Sequence, residues 1–409
     1  MPQAEHRLDT RRWRILALLA LAIVLTLTTW FSAAAVIPEL EREWQLSPHA
    51  VSWLANGVQI GFVCGALTAS LVILPDVARL NWLMASGAAL AALSNALLLL
   101  EPGPVGAIAL RVMTGVALAG VYPPALKLVS TWFDRDRGLA LGVVIGALTL
   151  GSSLPHLFRG LAHTIDWHVV VAASSLSALA GAVLFALFAQ EGPCPFGRAV
   201  FDPRQIGPVF RNRDLLLANL GYFGHMWELY AMWAWLLIYV KNGFAAQALP
   251  SPTIASLVTF AAIAVGALGC ILGGVLSDLV GRTLTTAGMM AVSGLCALLV
   301  GLTFDGPPWL FVLVILVWGI SIVGDSAQFS AAVSELADQR FVGTALSAQL
   351  GIGFALTALA VWLIPLFAGS IGSWQWAFLM LVPGPLVGMV AMLLLRRSPA
   401  SLRLAKGRR

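Results

Sequence analysis

Five side chains carry chemistry where the chain is otherwise apolar: Arg111, His225, Glu228, Asp325 and Gln328. Each interrupts a long hydrophobic run. A charge at the centre of a bilayer costs at least about 2.5 kcal/mol, so ionisable groups there are candidates for function. His225 and Glu228 are three residues apart and share a helical face with Tyr222. A carboxylate at that depth is protonated or finds a base, and His225 can supply the base or take the proton. The same spacing also suits a structural His–Glu pair tying one helix to another. Asp325 and Gln328 repeat the pattern, with a second deep carboxylate that could equally bond hydroxyls or amides of adjacent helices. Arg111 stays charged and can grip a carboxylate through two bonds, or can snorkel to the surface. His156, after Pro155, reads as packing or lumen wall more readily than as a ligand. Asn56 and Gln59, also three apart, are expected to form interhelical hydrogen bonds.

Other chemistries are missing from the sequence. There is no G-x-x-x-x-G-K-S/T phosphate loop and no G-x-S-x-G nucleophile elbow, so ATP is not the energy source and no enzyme is expected. The four cysteines, Cys64, Cys194, Cys270 and Cys296, form no C-x-x-C pair. No metal site, catalytic residue or cofactor is expected.

The elements that position these groups follow from composition. Of 409 residues, 59% are hydrophobic and 11% charged, against about 25% charged in soluble domains. That excludes an ordinary cytosolic enzyme and a disordered chain. Apolar runs recur at Arg14–Pro38, Ala50–Leu74, Leu80–Leu100, Val105–Leu128, Gly138–Phe158 and Trp167–Ala189. Six more lie at Leu215–Val240, Thr253–Ser277, Leu284–Thr303, Trp309–Val333, Val342–Ala368 and Trp374–Leu395. Each is long enough for a tilted spanning helix, and none alternates as a barrel strand would. The expected architecture is an all-α membrane protein of twelve transmembrane helices. Residues 1–13 form a tail, 14–189 a first six-helix bundle, 190–213 a linker, 214–395 a second bundle and 396–409 a basic tail. Ser32-Ala-Ala-Ala35 resembles a signal cleavage site, but cleavage would leave an odd number of spans. With both termini cytoplasmic, all Lys and Arg except Arg42, Arg111, Arg159 and Lys241 fall on the cytoplasmic side, as the positive-inside rule requires. The net charge of +5 is thus a topology signal, not a nucleic-acid footprint.

The halves repeat at an offset of 204: Pro104, Gly115, Gly120, Ser130 and Asp134 fall on Pro308, Gly319, Gly324, Ser334 and Asp338. A parallel six-plus-six repeat is one transporter architecture, with the substrate site between the halves. Between spans eight and nine, Gly274-Val-Leu-Ser-Asp278-Leu-Val-Gly281-Arg282 matches the loop signature G-x-x-x-D-x-x-G-R. A degraded first-half copy, Leu74-Pro-Asp76-Val-Ala-Arg79, keeps an acid and a base. Arg111-Val-Met-Thr-Gly115 matches R-x-x-x-G, and Gly142, Gly146, Gly151 and Pro155 loosely match an exporter signature. On these motifs the chain resembles the major facilitator superfamily over nearly its whole length. The resemblance implies that spans 1, 4, 7 and 10 line the cavity. It also implies that loop contacts of Asp278, Arg282, Asp76 and Arg79 stabilise one state and break as the halves rock. On physical grounds Gly274 is expected to let two helices approach, and Arg282 to pair across the halves.

The expected function is a proton-coupled secondary transporter of a small organic anion in the bacterial inner membrane, working as a monomer by alternating access. Arg111, His225, Glu228, Asp325 and Gln328 are its substrate residues, and Glu228 and Asp325 its proton sites. Protons, a small solute and the lipid bilayer are its partners. Nitrate/nitrite porters pair an arginine in each half, and span eight here has no Arg or Lys. A proton-driven exporter of cationic or amphipathic compounds is the alternative, supported by the acids and aromatics of the second half. A non-transporting membrane sensor is a third reading, opposed by the short tails.

Overall fold

The computed structural model describes residues 2–72, 74, 78–133, 137–162, 166–193, 206–338 and 342–409. Asp76, Asp134 and the middle of the linker, residues 194–205, lie outside them. Long helical segments follow one another as α1 (Pro2–Leu27), α2 (Pro48–Leu71), α3 (Leu80–Leu100), α4 (Gly103–Ser130), α5 (Arg137–Leu161) and α6 (Trp167–Phe188). They continue as α7 (Arg213–Ala246), α8 (Pro252–Val280), α9 (Arg282–Leu299), α10 (Pro308–Leu336), α11 (Val342–Ile371) and α12 (Ala377–Arg397). No strand occurs among the described residues. Ten of these segments, α2–α6 and α8–α12, are long and apolar enough to cross a membrane. The other two are as long, but α1 contains Arg11, Arg12 and Arg14, and α7 carries His225, Glu228 and many rings. Side-chain caps start several helices: Ser47 accepts from Ala50 N, Asn212 from Asp214 N and Leu215 N, and Ser251 from Ile254 N.

Packing repeats between the halves. In the first, α2 runs along α4, α3 along α6, and α1 against α5 and α6; in the second, α8 runs along α10, α9 along α12, and α7 against α11 and α12. Between the halves, α5 packs along α8 and α2 along α11. The α2–α4 and α8–α10 seams are closed by small residues, because association in lipid depends on close van der Waals contact. A Cβ on Gly61 would stand 1.9 Å from the Val112 carbonyl oxygen, and one on Gly115 2.0 Å from that of Val58. The repeat partner of Gly115, Gly319, meets the Ala262 oxygen at 1.9 Å in the same way.

Among the described residues, three spans are split into two α-helices. α4 breaks at Gly120 and Val121 before Pro123 and Pro124, which lack the N–H a continuous helix needs. α10 breaks at Asp325, one residue after Gly324, the repeat partner of Gly120. α8 breaks at Val265. In addition, α1 stops at Leu27, whereas the sequence predicts a helix to Pro38. Its hydroxyls explain the difference: Thr28 Oγ1 donates to Leu25 O at 2.7 Å, Thr29 Oγ1 to Thr26 O at 2.9 Å and Ser32 Oγ to Thr29 O at 3.2 Å. Such local bonds compete with the helical ladder. The chain then turns through a short helix, Ile37–Glu43, into α2.

The tails share one end of the bundle, here called the tail side. Arg11 donates to Gln190 Oε1, and the last residues fold onto the start of α9, where Thr283 N donates to Arg409 O.

The seams make one expectation direct. Gly61→Ala should lower the melting temperature of the purified protein, since overpacking costs about 1–3 kcal/mol. Gly142→Ala, where a Cβ meets open space, should be neutral or stabilising by up to about 1 kcal/mol. Equal melting temperatures for the two variants would contradict the seam.

Candidate functional site

Arg111 is 1% exposed and does not snorkel. Nη1 donates to Ser32 Oγ at 3.1 Å and to Asn95 Oδ1 at 3.0 Å, and Nη2 donates to the Trp30 carbonyl at 2.5 Å. The guanidinium therefore satisfies a backbone oxygen freed where α1 unwinds. Asn95 completes the cluster: Ser32 Oγ donates to its Oδ1, and its Nδ2 donates to Val171 O and Ser175 Oγ of α6. Nε of Arg111 has no described partner, and no described carboxylate pairs with the charge. The cation is held entirely by neutral groups.

In the second half, Glu228 on α7 is 2% exposed. Trp318 Nε1 of α10 donates to its Oε1 at 2.7 Å and Ser293 Oγ of α9 donates to its Oε2 at 2.5 Å. The expected His225–Glu228 pair is not formed. His225 turns to α10 instead, with Nδ1 2.9 Å from Asp325 Oδ1 and Nε2 2.8 Å from Ser326 Oγ. The first contact is an ion pair when the ring is protonated, though the N–H is not aimed along it. The break in α10 falls at Asp325, and Asp325 and its neighbour Ser326 both reach the ring. Gln328 is elsewhere: its Oε1 accepts from Arg282 Nη1 at 2.7 Å.

Between these clusters lies a plug of rings joining the halves. Trp30 stacks on Tyr230 of α7 at 5.6 Å and 15°, and contacts Phe62 of α2 at 5.0 Å. Phe354 of α11 closes the set against Phe62 at 4.8 Å and Tyr230 at 5.4 Å. A separate groove of about 730 Å³, lined by Phe244, Ile254, Trp309 and Leu313 among others, touches none of these groups.

The loop signature is built differently from expectation. Arg282 does not reach the first half. Nε and Nη2 donate to Glu335 Oε2 and Oε1 of α10 at 2.9 and 2.6 Å, so its carboxylate partner lies within its own half. Glu335 Oε2 also accepts from Ala405 N, which docks the C-terminal segment. Asp278 is exposed and has no ion pair with a described residue. Gly274 makes no close approach, since a Cβ there meets open space; Gly273 is the packed position, 1.6 Å from Gly324 O by the same measure. Gly281 is required for a different reason, its φ of +91° at the α8–α9 turn. Arg79 is exposed at the start of α3. Of the exporter-like glycines only Gly151 packs tightly, against Val24 O.

His156 is fully buried, and neither ring nitrogen has a described partner. Asn56 and Gln59 are buried without the expected interhelical bonds. Gln59, oriented to donate, reaches Ala55 O of its own helix at 2.9 Å, and Asn56 Oδ1 has no described partner. Sequence reasoning missed Ser32, Asn95, Ser293, Trp318 and Glu335. Asn95 alone carried a signal, as a lone amide in an apolar run.

Comparison with known proteins matches the family model of the Major Facilitator Superfamily to residues 19–360. The curated "MFS-type transporter hasB" of Aspergillus fumigatus is 27% identical over 216 residues, 47% of this chain. The match spans 44% of that relative's length. Among solved structures, a D-xylose–proton symporter superposes with a TM-score of 0.76 at 14% identity, covering 96% of this chain and 99% of that one. A variant of the nucleoside transporter NupG gives 0.72 at 13% identity, covering 93% and 99%. A bacterial homolog of the human lysosomal transporter Spinster, inward-facing and occupied, gives 0.67 at 15%, covering 94% and 97%. At these identities the likeness is one of fold.

Proposed function

The chain belongs to the Major Facilitator Superfamily, and on that premise we propose a proton-coupled transporter of a small organic anion that works by alternating access. The tails lie on the cytoplasmic face in this reading, as the basic residues near them favour. The partners are protons and the solute, and the membrane is a bacterial inner membrane.

The setting of Glu228 carries the proposal. Trp318 Nε1 can only donate, so Oε1 accepts in either protonation state. Ser293 Oγ is both donor and acceptor: it donates to the carboxylate, and it can accept from the carboxylic acid. A proton can therefore load on Oε2 with no rearrangement of heavy atoms. Asp325 and His225 add a second proton-accepting pair one turn away along α7. The structural likeness to a D-xylose–proton symporter supports proton coupling. Arg111 supports an anionic solute, because its charge has no described counter-ion and its Nε is unpaired. The ring plug favours a second reading, export of a cationic or amphipathic compound, since Trp and Tyr faces attract cations.

Two outcomes test this. A thermal-stability screen of carboxylates against lipophilic cations identifies the ligand class, since a ligand that binds only the native state raises its stability. With the carboxylate so found, Arg111→Ala should weaken binding about 10- to 150-fold and Arg111→Lys less. Unchanged binding by folded Arg111→Ala would remove Arg111 from the site, and stabilisation by cations alone would favour the exporter. In proteoliposomes, Glu228→Gln or Asp325→Asn should abolish accumulation driven by a proton gradient while leaving exchange. Normal accumulation in both would exclude these acids as the coupling site.

A further inference from the structure

One buried charge takes no part in the site above. Arg159, near the end of α5 opposite the tail side, has a side chain 2% exposed. Nη2 donates to Glu39 Oε1 at 2.6 Å and Nε to Glu39 Oε2 at 3.4 Å. Glu39 sits in the short helix after α1, so this pair is internal to the first half. The remaining arm crosses to the second half. Nη1 donates to the Pro252 carbonyl at 3.3 Å and to Ser256 Oγ, both on the first turns of α8. Ser256 spends its own hydrogen on Pro252 O at 2.8 Å, which leaves its lone pairs for the guanidinium. Beside this contact Gly160 abuts Leu257, where a Cβ would come 2.8 Å from Cδ2.

We propose that Arg159 is the lock that holds the side opposite the tails closed: Glu39 carries and orients the guanidinium, and Ser256 and Pro252 receive it only while α5 and α8 are in contact. The inference rests on the alternating-access reading and assigns a residue to its closed side. Its physical logic lies in the division of partners. A buried arginine stripped of its carboxylate is strongly disfavoured. Here the carboxylate belongs to the same half as the arginine and travels with it. Opening therefore gives up two hydrogen bonds to neutral oxygens, which water can replace, and never strands the charge. Such a contact is strong enough to bias a two-state equilibrium and weak enough to be reversed in each cycle. Neither Glu39 nor Arg159 belongs to the loop signature.

Thr259 lies three residues beyond Ser256 on α8 and is fully buried, so Thr259→Cys reports opening of this side. The reporter is placed in a chain whose native Cys64, Cys194, Cys270 and Cys296 are replaced by alanine. The rate of alkylation by a membrane-impermeant maleimide is then measured on purified protein. Arg159→Gln should raise the rate about tenfold or more, Arg159→Lys less, and Ser256→Ala a few-fold. A companion chain keeping only buried Cys296 of α9 should react at an unchanged rate. Unchanged Thr259→Cys labelling in folded Arg159→Gln and Ser256→Ala would overturn the lock. A parallel rise at Cys296 would also overturn it, making Arg159 a general packing residue. If Arg159→Gln does not fold, Ser256→Ala decides alone. Labelling needs neither solute nor proton gradient, so failure of the coupling proposal leaves this result standing.

Discussion

Inside a bilayer, a charge or a freed backbone carbonyl is satisfied by the protein or not at all. The bond from Arg111 to the Trp30 carbonyl meets both demands at once. It lets α1 end at Leu27 without leaving that oxygen bare, and it gives the guanidinium an acceptor. It also fixes the backbone from which the Trp30 ring projects. That ring stacks on Tyr230 and touches Phe62 and Phe354, so the contact between the halves at the plug depends on a hydrogen bond made within the first half.

The second half answers the same constraint with the opposite sign. In the first half, a cation on α4 is held by groups from the unwound end of α1 and from Asn95 of α3. In the second, an anion-forming group on α7 is held by Ser293 of α9 and Trp318 of α10. By repeat position these are the same three helices, 1, 3 and 4 against 7, 9 and 10. An arginine guanidinium is a fixed charge by its chemistry, whereas a carboxyl group can exchange its proton. Ser293 can serve either state of Glu228, as donor or as acceptor. In the proposed mechanism the fixed cation and the exchanging acids belong to different halves, which suits a cycle in which the halves move against each other.

Much of the architecture was legible from the lengths of the apolar runs, because long apolar runs have few alternatives in a membrane. The repeat of Gly115 on Gly319 and of Gly120 on Gly324 also carried through, the first as helix seams and the second as helix breaks. What failed were inferences about partners. Sequence spacing put His225 beside Glu228, but both side chains face α10, where Asp325 and Trp318 lie nearer to each. Arg282 was expected to cross between halves, and Glu335, more than 50 residues on, claims it first. The α1 break came from Thr and Ser hydroxyls that composition counts as ordinary helix residues. Glu39 and Arg159 stand just past the ends of apolar runs in the sequence, and only the fold buries them together.

The central claim is that Glu228 and Asp325 hold the exchangeable proton. Infrared difference spectra of the purified protein, recorded as pH is raised, read carboxylic acid C=O stretching directly and need no knowledge of the solute. The account expects an acid band from a buried group that disappears on deprotonation and is missing from Glu228→Gln, from Asp325→Asn or from both. Wild-type spectra reproduced unchanged by both variants would contradict it.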